Sequence, residues 1–212
     1  MREETKTLTF AAVICVACSL LLSGTAAVLK TRIEANQKYD EQRNILKAFG
    51  IKMTDKTAWP REKIEAAFED NVAEIKTDNG LPLYTWSDDG ATKPSKYAFP
   101  ISGKGLWGNL YGYVAVEADL ETIAGITFYK HEETAGLGAE IEKAYFQDQF
   151  VGKKLYEAGL PTPFTITKPG MAKGDIEVDG ISGATLTSQG VQNLLRKDSA
   201  AYADSFKIRR EN

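Results

Sequence analysis

Near the C-terminal end of the chain, a run of small and hydroxyl residues is the strongest candidate for a ligand site. Residues 179–188 read DGISGATLTS and directly precede a predicted helix. Small residues at 182–184 let a phosphate approach the backbone. The hydroxyls that can donate to its oxygens belong to Ser182, Thr185, Thr187 and Ser188. A helix N-terminus favours an anion because its N–H groups are unpaired and carry partial positive charge. The alternative is an ordinary turn in which Thr187 or Ser188 caps the helix.

A second run, residues 132–140 (EETAGLGAE), follows a predicted strand. It combines two glycines that permit a tight bend, an apolar side chain between them and two hydrogen-bonding groups, namely Gly136, Gly138, Leu137, Glu133 and Thr134. A planar ligand can lie along such a bend while the polar groups bind its ring edge. The alternative is a glycine-rich connection between a strand and a helix, with no ligand.

A third run, residues 103–112 (GKGLWGNLYG), contains two aromatic side chains among its glycines. Trp107 and Tyr111 could stack on an aromatic ligand, although such residues more commonly fill a core. No spacing in the chain matches a phosphate-binding Walker loop, a dinucleotide fingerprint or a nucleophile elbow. We therefore predict binding residues but no catalytic residues.

The cysteine and histidine content excludes several redox centres. The two cysteines, Cys15 and Cys18, both lie in an apolar N-terminal run, and His131 is the only histidine. The rest of the chain cannot build a Cys/His zinc site, an iron–sulfur cluster, a c-type haem attachment or a disulfide framework. We predict no metal site, and any redox chemistry must depend on an organic cofactor.

Size and charge limit the class of protein and the partners that can be expected. With 212 residues, 43% of them hydrophobic, the chain can bury one good core and still provide a membrane anchor. The formal net charge of -3 gives no reason to expect nucleic acid as a partner.

The N-terminal segment predicts a membrane span. Residues 8–29 carry no charge, and about 20 apolar residues suffice for a helix to cross a bilayer. We expect a short cytoplasmic N-terminus (1–7), a transmembrane helix (8–29) and an extracytoplasmic domain (30–212). Basic residues flank both ends of the span, so the charge rule for orientation is weak. The alternatives are a signal peptide cleaved near Ala27 and a lipoprotein signal ending at Cys18.

Periodicity and turn residues predict an α+β domain after the span. Helical spacing covers 36–49, with Gly50 as the stop, and returns at 61–75, 141–150 and 188–206. Short aromatic and β-branched runs predict strands at 97–101, 111–116, 123–129 and 164–167. The first three of these strands are expected to form a small antiparallel sheet with flanking helices.

These runs, in this order, resemble the C subunit of the Na⁺-translocating NADH:quinone reductase. The resemblance extends to the apolar N-terminus, to residues 42–46 (QRNIL) and to residues 146–154. Residues 182–185 (SGAT) are similar to the flavinylation signal of that family, which is shared with the related G subunit of the Rnf complex. One position departs from the family pattern, Ala135, where the family usually has proline.

The resemblance implies an FMN whose phosphate is esterified to Thr185 by a dedicated flavin transferase. The cofactor-binding residues it implies are Thr185 with Ser182, Gly183, Ala184, Leu186 and Thr187, and, from the second run, Glu133, Thr134, Gly136, Leu137 and Gly138. The chain would be an electron relay between NADH and quinone, assembled with the other subunits of a respiratory complex. It would sit in the bacterial inner membrane, in contact with lipid, with its domain on the periplasmic face. The G subunit of an Rnf-type complex and a cofactor-free anchored binding module remain the alternatives.

Overall fold

The structure is a computed structural model that describes residues 2–53, 59–88, 90–91 and 93–211. The chain forms two compact units, which divide between Glu41 and Gln42. Its first helix, α1 (Arg2–Ala48), contributes to both units. The predicted span and the predicted helix at 36–49 are therefore one continuous element. Gly50 ends it as predicted, with a φ of +89° that favours glycine.

The first unit consists of the helical residues before Gln42. The large apolar side chains between Leu8 and Leu29 are exposed, with 69–72% of Leu20, Leu21 and Leu22 open to solvent. Within the described ranges, α1 is the one helix that is long and apolar enough to cross a membrane. This composition supports membrane anchoring.

A five-stranded antiparallel sheet forms the centre of the second unit, with its strands in sequential order. The strands are β1 (Val72–Lys76), β2 (Pro82–Trp86), β3 (Lys96–Lys104), β4 (Asn109–Glu117) and β5 (Ile123–Lys130). The predicted strands at 97–101, 111–116 and 123–129 lie within β3, β4 and β5. The antiparallel pairing of these three strands was predicted correctly.

The prediction was wrong at the end of the second helix. Helix α2 (Arg61–Asn71) stops four residues before the predicted boundary at 75, and the chain continues directly as β1. Val72 pairs with Trp86 of β2, which the sequence had not indicated as a strand. The backbone of 72–76 thus finds its hydrogen bonds in a neighbouring strand rather than in another helical turn.

Two apolar cores cover the two faces of the sheet. On one face, Ile45 in the last turn of α1 and Phe49 just after the helix pack against Tyr84 and Tyr113. On the other face lies the C-terminal helix, α4 (Thr185–Glu211), where Tyr202 stacks on Phe99 with ring centroids 4.4 Å apart. The α+β architecture predicted from the sequence is confirmed.

The connection from β5 to α4 is built from short elements. A 3-10 turn (Gly138–Glu142), helix α3 (Ala144–Gln147) and a second 3-10 turn (Asp148–Phe150) replace the predicted helix at 141–150. A small hairpin of β6 (Tyr156–Glu157) and β7 (Leu160–Pro161) follows. The predicted strand at 164–167 corresponds to β8 (Thr165–Thr167), which pairs in parallel with β9 (Glu177–Asp179).

The start of α4 differs from the prediction in a way that affects the site. The helix begins at Thr185, three residues before the predicted start at 188. Thr185 is therefore the first residue of the helix rather than part of the preceding turn.

Candidate functional site

A tight turn delivers the chain from β9 into the N-terminus of α4. The Ala184 N–H donates to Ile181 O at 3.1 Å, and Gly183 has a φ of +75°, which favours glycine. Ser182 and Gly183 are exposed. The turn thus presents bare backbone directly ahead of a 27-residue helix, where unpaired N–H groups favour an anion.

The four hydroxyl residues of this segment divide into two pairs. Ser182 and Thr185 are exposed, whereas Thr187 and Ser188 are only 1% and 5% exposed. Ser188 Oγ accepts from the Ile181 N–H at 3.1 Å and donates to Ala184 O at 3.0 Å. Thr187 and Ser188 lie inside the first turn of α4 and bind protein groups, so the exposed hydroxyls available to a ligand are those of Ser182 and Thr185.

Residues that sequence reasoning missed hold the strand before the turn. Gln149 Oε1 accepts from the Asp179 N–H at 2.9 Å. Asp179 Oδ1 accepts from the backbone N–H groups of Met171 and Ala172, both at 2.9 Å. No local pattern marks Gln149 as a site residue, because its partner lies in a different element 30 positions away.

The second predicted run lies against this turn. The Leu137 N–H donates to Thr134 O at 3.1 Å, and Gly136 adopts a φ of +74° at the tip of the bend. Leu137 packs over Gly183, where an added Cβ would sit 3.0 Å from Leu137 Cδ2. The structure thus brings together the bend and the turn that the sequence had indicated as parts of one site.

Within the second run, Glu133 differs from its neighbours because it is buried, with 8% of its surface exposed. Its Oε2 accepts from the Thr187 hydroxyl at 2.5 Å. Its Oε1 accepts from the backbone N–H groups of Leu106 and Trp107, at 2.9 and 3.1 Å. Both oxygens are therefore engaged by protein donors, whereas Thr134, Ala135 and Gly136 are exposed.

The third predicted run forms the turn between β3 and β4 and also reaches α4. The Gly105 N–H donates to Gly108 O at 2.8 Å, which closes the turn. A Cβ added at Gly190 of α4 would lie 2.5 Å from Lys104 O. The glycine at position 190 therefore permits the close approach of this turn to the helix. Trp107 is 67% exposed at the turn, while Tyr111 is half-buried within β4.

His131 forms a hydrogen bond with the backbone of the second run. Its Nδ1 accepts from the Glu133 N–H at 3.1 Å, and its Nε2 lies 3.1 Å from Glu142 Oε1. Only 10% of the His131 side chain is exposed. The histidine thus holds the backbone of the bend.

Exposed apolar side chains come from all three runs. Leu106, Trp107, Leu137 and Leu186 are each between 42% and 67% exposed. An exposed hydroxyl at a helix N-terminus, bare backbone beside it and apolar side chains from adjoining segments suit a ligand with a phosphate and a planar aromatic part.

The FMN-binding domain family matches residues 105–198, which include all but the first two residues of the third run and the whole of the other two. The fold and the site therefore define an FMN-binding domain.

Relatives identify the family more narrowly. The C subunit of the Na⁺-translocating NADH-quinone reductase from Haemophilus ducreyi is 34% identical, over 90% of this chain and 87% of the relative. The corresponding Yersinia pestis protein is 32% identical, over 89% and 85% of the two chains. The crystal structure of the Parabacteroides distasonis protein of the same name matches with a TM-score of 0.72 and 29% identity, over 84% of this chain and 96% of that one. The chain belongs to this family, the C subunits of the Na⁺-translocating NADH-quinone reductase.

Proposed function

We propose that this chain is the membrane-anchored flavoprotein subunit of a Na⁺-translocating NADH:quinone reductase and that its FMN is bound covalently through Thr185. The observation that carries the proposal is the exposed hydroxyl of Thr185, placed at the first position of α4 inside the region that matches the FMN-binding family. Membership of the family described above favours this complex over an Rnf-type complex.

The attachment is a phosphoester between Thr185 Oγ1 and the flavin phosphate. The donor is a flavin pyrophosphate. Thr185 Oγ1 would form a P–O bond to the flavin-side phosphorus, while the P–O bond from that phosphorus to the nucleoside phosphate breaks. A nucleoside monophosphate leaves, and the hydroxyl proton passes to a basic group of the flavin transferase. No electrons are transferred in this step, so the flavin keeps its oxidation state.

The chain's own residues would hold the two ends of FMN in different ways. The exposed backbone and hydroxyl of Ser182–Gly183, with Ala184, suit the phosphate at the helix N-terminus. Leu137 and Leu186 offer exposed apolar surface to the ring system, and Thr134 an exposed hydroxyl for its polar edge. Gly136 and Gly138 shape the bend that carries Leu137.

FMN would supply the chain with a redox group that can pass electrons singly or in pairs, which its side chains do not provide. Covalent attachment keeps that group in place between electron transfers. The proposed role is an electron relay among the other subunits, anchored in the bacterial inner membrane by α1 with the domain on the periplasmic face. The flavin transferase and membrane lipid are the further partners that this role requires.

The experiment that tests the proposal is intact-mass analysis of the denatured chain, produced with and without a flavin transferase. We expect a mass increase of one FMN less one water only with the transferase, located on the peptide that contains Thr185. Thr185→Val keeps the size of the side chain but removes the hydroxyl, and should abolish the increase.

Thr185→Ser is the matched control, because it keeps the hydroxyl and should still be modified. Flavin that stays attached to the Thr185→Val chain after denaturation would refute the assignment. A wild-type chain with no mass increase would instead support a cofactor-free binding module.

A further inference from the structure

The carboxylate of Glu133 joins three segments that are distant in the sequence. It accepts hydrogen bonds from the Leu106 and Trp107 N–H groups of the β3–β4 turn and from the Thr187 hydroxyl in the first turn of α4. It belongs itself to the bend after β5. A buried carboxylate is costly to leave unsatisfied, so these three donors hold it in one place and are themselves held by it.

Two glycines leave room for this carboxylate. A Cβ added at Gly105 would lie 2.5 Å from Glu133 Oε1, and a Cβ added at Gly138 would lie 2.6 Å from Glu133 Oε2. Any larger residue at either position would displace the carboxylate or the backbone. The two glycines belong to the third and second runs, so part of their glycine content serves the packing of Glu133 rather than a ligand.

The backbone of Glu133 is held as firmly as its side chain. The Glu133 N–H donates to His131 Nδ1, and His131 is itself packed beside Glu142. The resulting chain of contacts runs from the end of β5 through Glu133 to the first turn of α4. Thr185 is the first residue of that turn. It lies two positions before Thr187, whose hydroxyl donates to the Glu133 carboxylate.

We propose that Glu133 is a positioning residue for the attachment of FMN to Thr185, acting through Thr187 and the β3–β4 turn rather than as a ligand of the flavin ring. By fixing the first turn of α4 against the other two segments, its carboxylate sets where the Thr185 hydroxyl faces the phosphate. This inference rests on the proposed function, because it concerns the same covalent attachment.

The test measures the initial rate at which a purified flavin transferase modifies the full-length chain, using a flavin pyrophosphate donor and mass analysis of the product. Glu133→Ala removes all three hydrogen bonds and should lower kcat for the modification by about tenfold or more, since small displacements of a reacting group have large effects on rate. KM for the chain should change far less, because the exposed surface around Thr185 is retained.

Glu133→Gln provides the rescue. Its amide oxygen can still accept from both backbone N–H groups, and its NH₂ can donate to the Thr187 oxygen, so the rate should remain within roughly threefold of the wild type. Glu132→Gln is the matched control, because it makes the same change of charge at the exposed neighbouring position and should leave the rate unchanged.

The outcomes separate the inference from the proposed function. A wild-type chain that is not modified would refute the attachment itself. A wild-type chain that is modified, together with a folded Glu133→Ala chain modified at the same rate, would refute only the positioning role.

If Glu133→Ala does not fold, Thr187→Val tests the inference instead, because it removes one donor and keeps the side-chain shape. Its rate should fall by roughly threefold or more, and a wild-type rate would overturn the inference.

Discussion

Leu137 lies directly over Gly183, and a Cβ on that glycine would come within 3.0 Å of Leu137 Cδ2. This contact joins the bend after β5 to the turn before α4. Gly183 needs its positive φ of +75° for the turn itself. The same residue therefore shapes the backbone around the proposed phosphate position and receives the apolar side chain beside it.

Gly138 should tolerate substitution poorly. In Gly138→Ala the new Cβ would lie 2.6 Å from both Glu133 Oε2 and Thr187 Oγ1, so a buried hydrogen bond must shift. We expect the free energy of unfolding to fall by about 1–3 kcal/mol. Denaturant titration of the chain in detergent, followed by circular dichroism, measures the change.

Gly136 provides the matched control for that substitution. It has a φ of +74° but no atom within 4 Å of an added Cβ, so a residue that accepts this backbone conformation should be tolerated. Gly136→Asn should lower stability only by the backbone cost of this conformation, about 1 kcal/mol. Equal losses at positions 136 and 138 would contradict the packing described around Glu133.

Gly190 offers a second test, in which two opposing effects can be compared. Replacing a glycine inside a helix by alanine normally adds about 1 kcal/mol of stability. Here the new Cβ would lie 2.5 Å from Lys104 O and 3.1 Å from Gly105 Cα, and backbone atoms cannot easily move aside. Overpacking of this kind costs about 1–3 kcal/mol.

We therefore expect Gly190→Ala to lower the melting temperature despite the gain in helix propensity. Gln189→Ala, one residue earlier and exposed, should leave the melting temperature nearly unchanged. A stabilised Gly190→Ala chain would show that the β3–β4 turn does not approach α4 as closely as described.

Because two tyrosines are buried, we expect the free energy of unfolding to fall at alkaline pH. Burial raises the pKa of Tyr156 and of Tyr202 well above the ordinary value, and each phenol donates to a backbone carbonyl, at 2.9 and 2.7 Å. The unfolded chain loses these protons near pH 10, while the folded chain keeps them. Their contribution is therefore complete below pH 10 and is lost as the pH rises beyond it.

The size of this effect can be measured from urea titrations at a series of pH values. Above pH 10, each tyrosine should contribute a slope of up to about 1.4 kcal/mol per pH unit to the fall in stability. Tyr156→Phe should lower stability at neutral pH by about 1 kcal/mol and reduce the alkaline slope by one proton. An unchanged slope would show that Tyr156 ionises equally in both states.

The orientation of the chain can be tested with reporter fusions at its C-terminus. If α1 is an uncleaved anchor and the domain lies outside, an alkaline phosphatase fusion should be active and a cytoplasmic reporter inactive. A mature N-terminus after Ala27, or a lipidated Cys18, would contradict the anchor. The reverse pattern of reporter activities would place the domain in the cytoplasm.

Local sequence patterns predicted the elements that depend on local interactions. The runs at 97–101, 111–116 and 123–129 are short and rich in β-branched and aromatic residues, and each lies within a strand of the sheet. The boundary between α2 and β1 was missed because residues 72–76 are held by pairing with β2. Such pairing depends on residues elsewhere in the chain, and helical periodicity cannot report it.

The candidate site was predictable to a similar extent. The three glycine-rich runs could be identified because glycine marks turns and close approaches. The role of Glu133 could not, because its hydrogen-bond partners lie between 26 and 54 positions away. The sequence cannot distinguish a buried structural glutamate from an exposed glutamate that binds a ligand ring. The structure distinguishes them by the burial of the side chain.

The end of α1 determines where a protease could release the folded domain from its anchor. Residues 42–49 belong to the second unit, and Ile45, Leu46 and Phe49 are fully or almost fully buried. A cut before Gln42 would leave the sheet covered and the domain intact. A cut after Ala48 would remove an apolar layer and expose Tyr84, Tyr113 and their neighbours to water. The last two turns of this helix thus mark the boundary of a detachable anchor, with resistance to proteolysis expected to rise sharply at position 42.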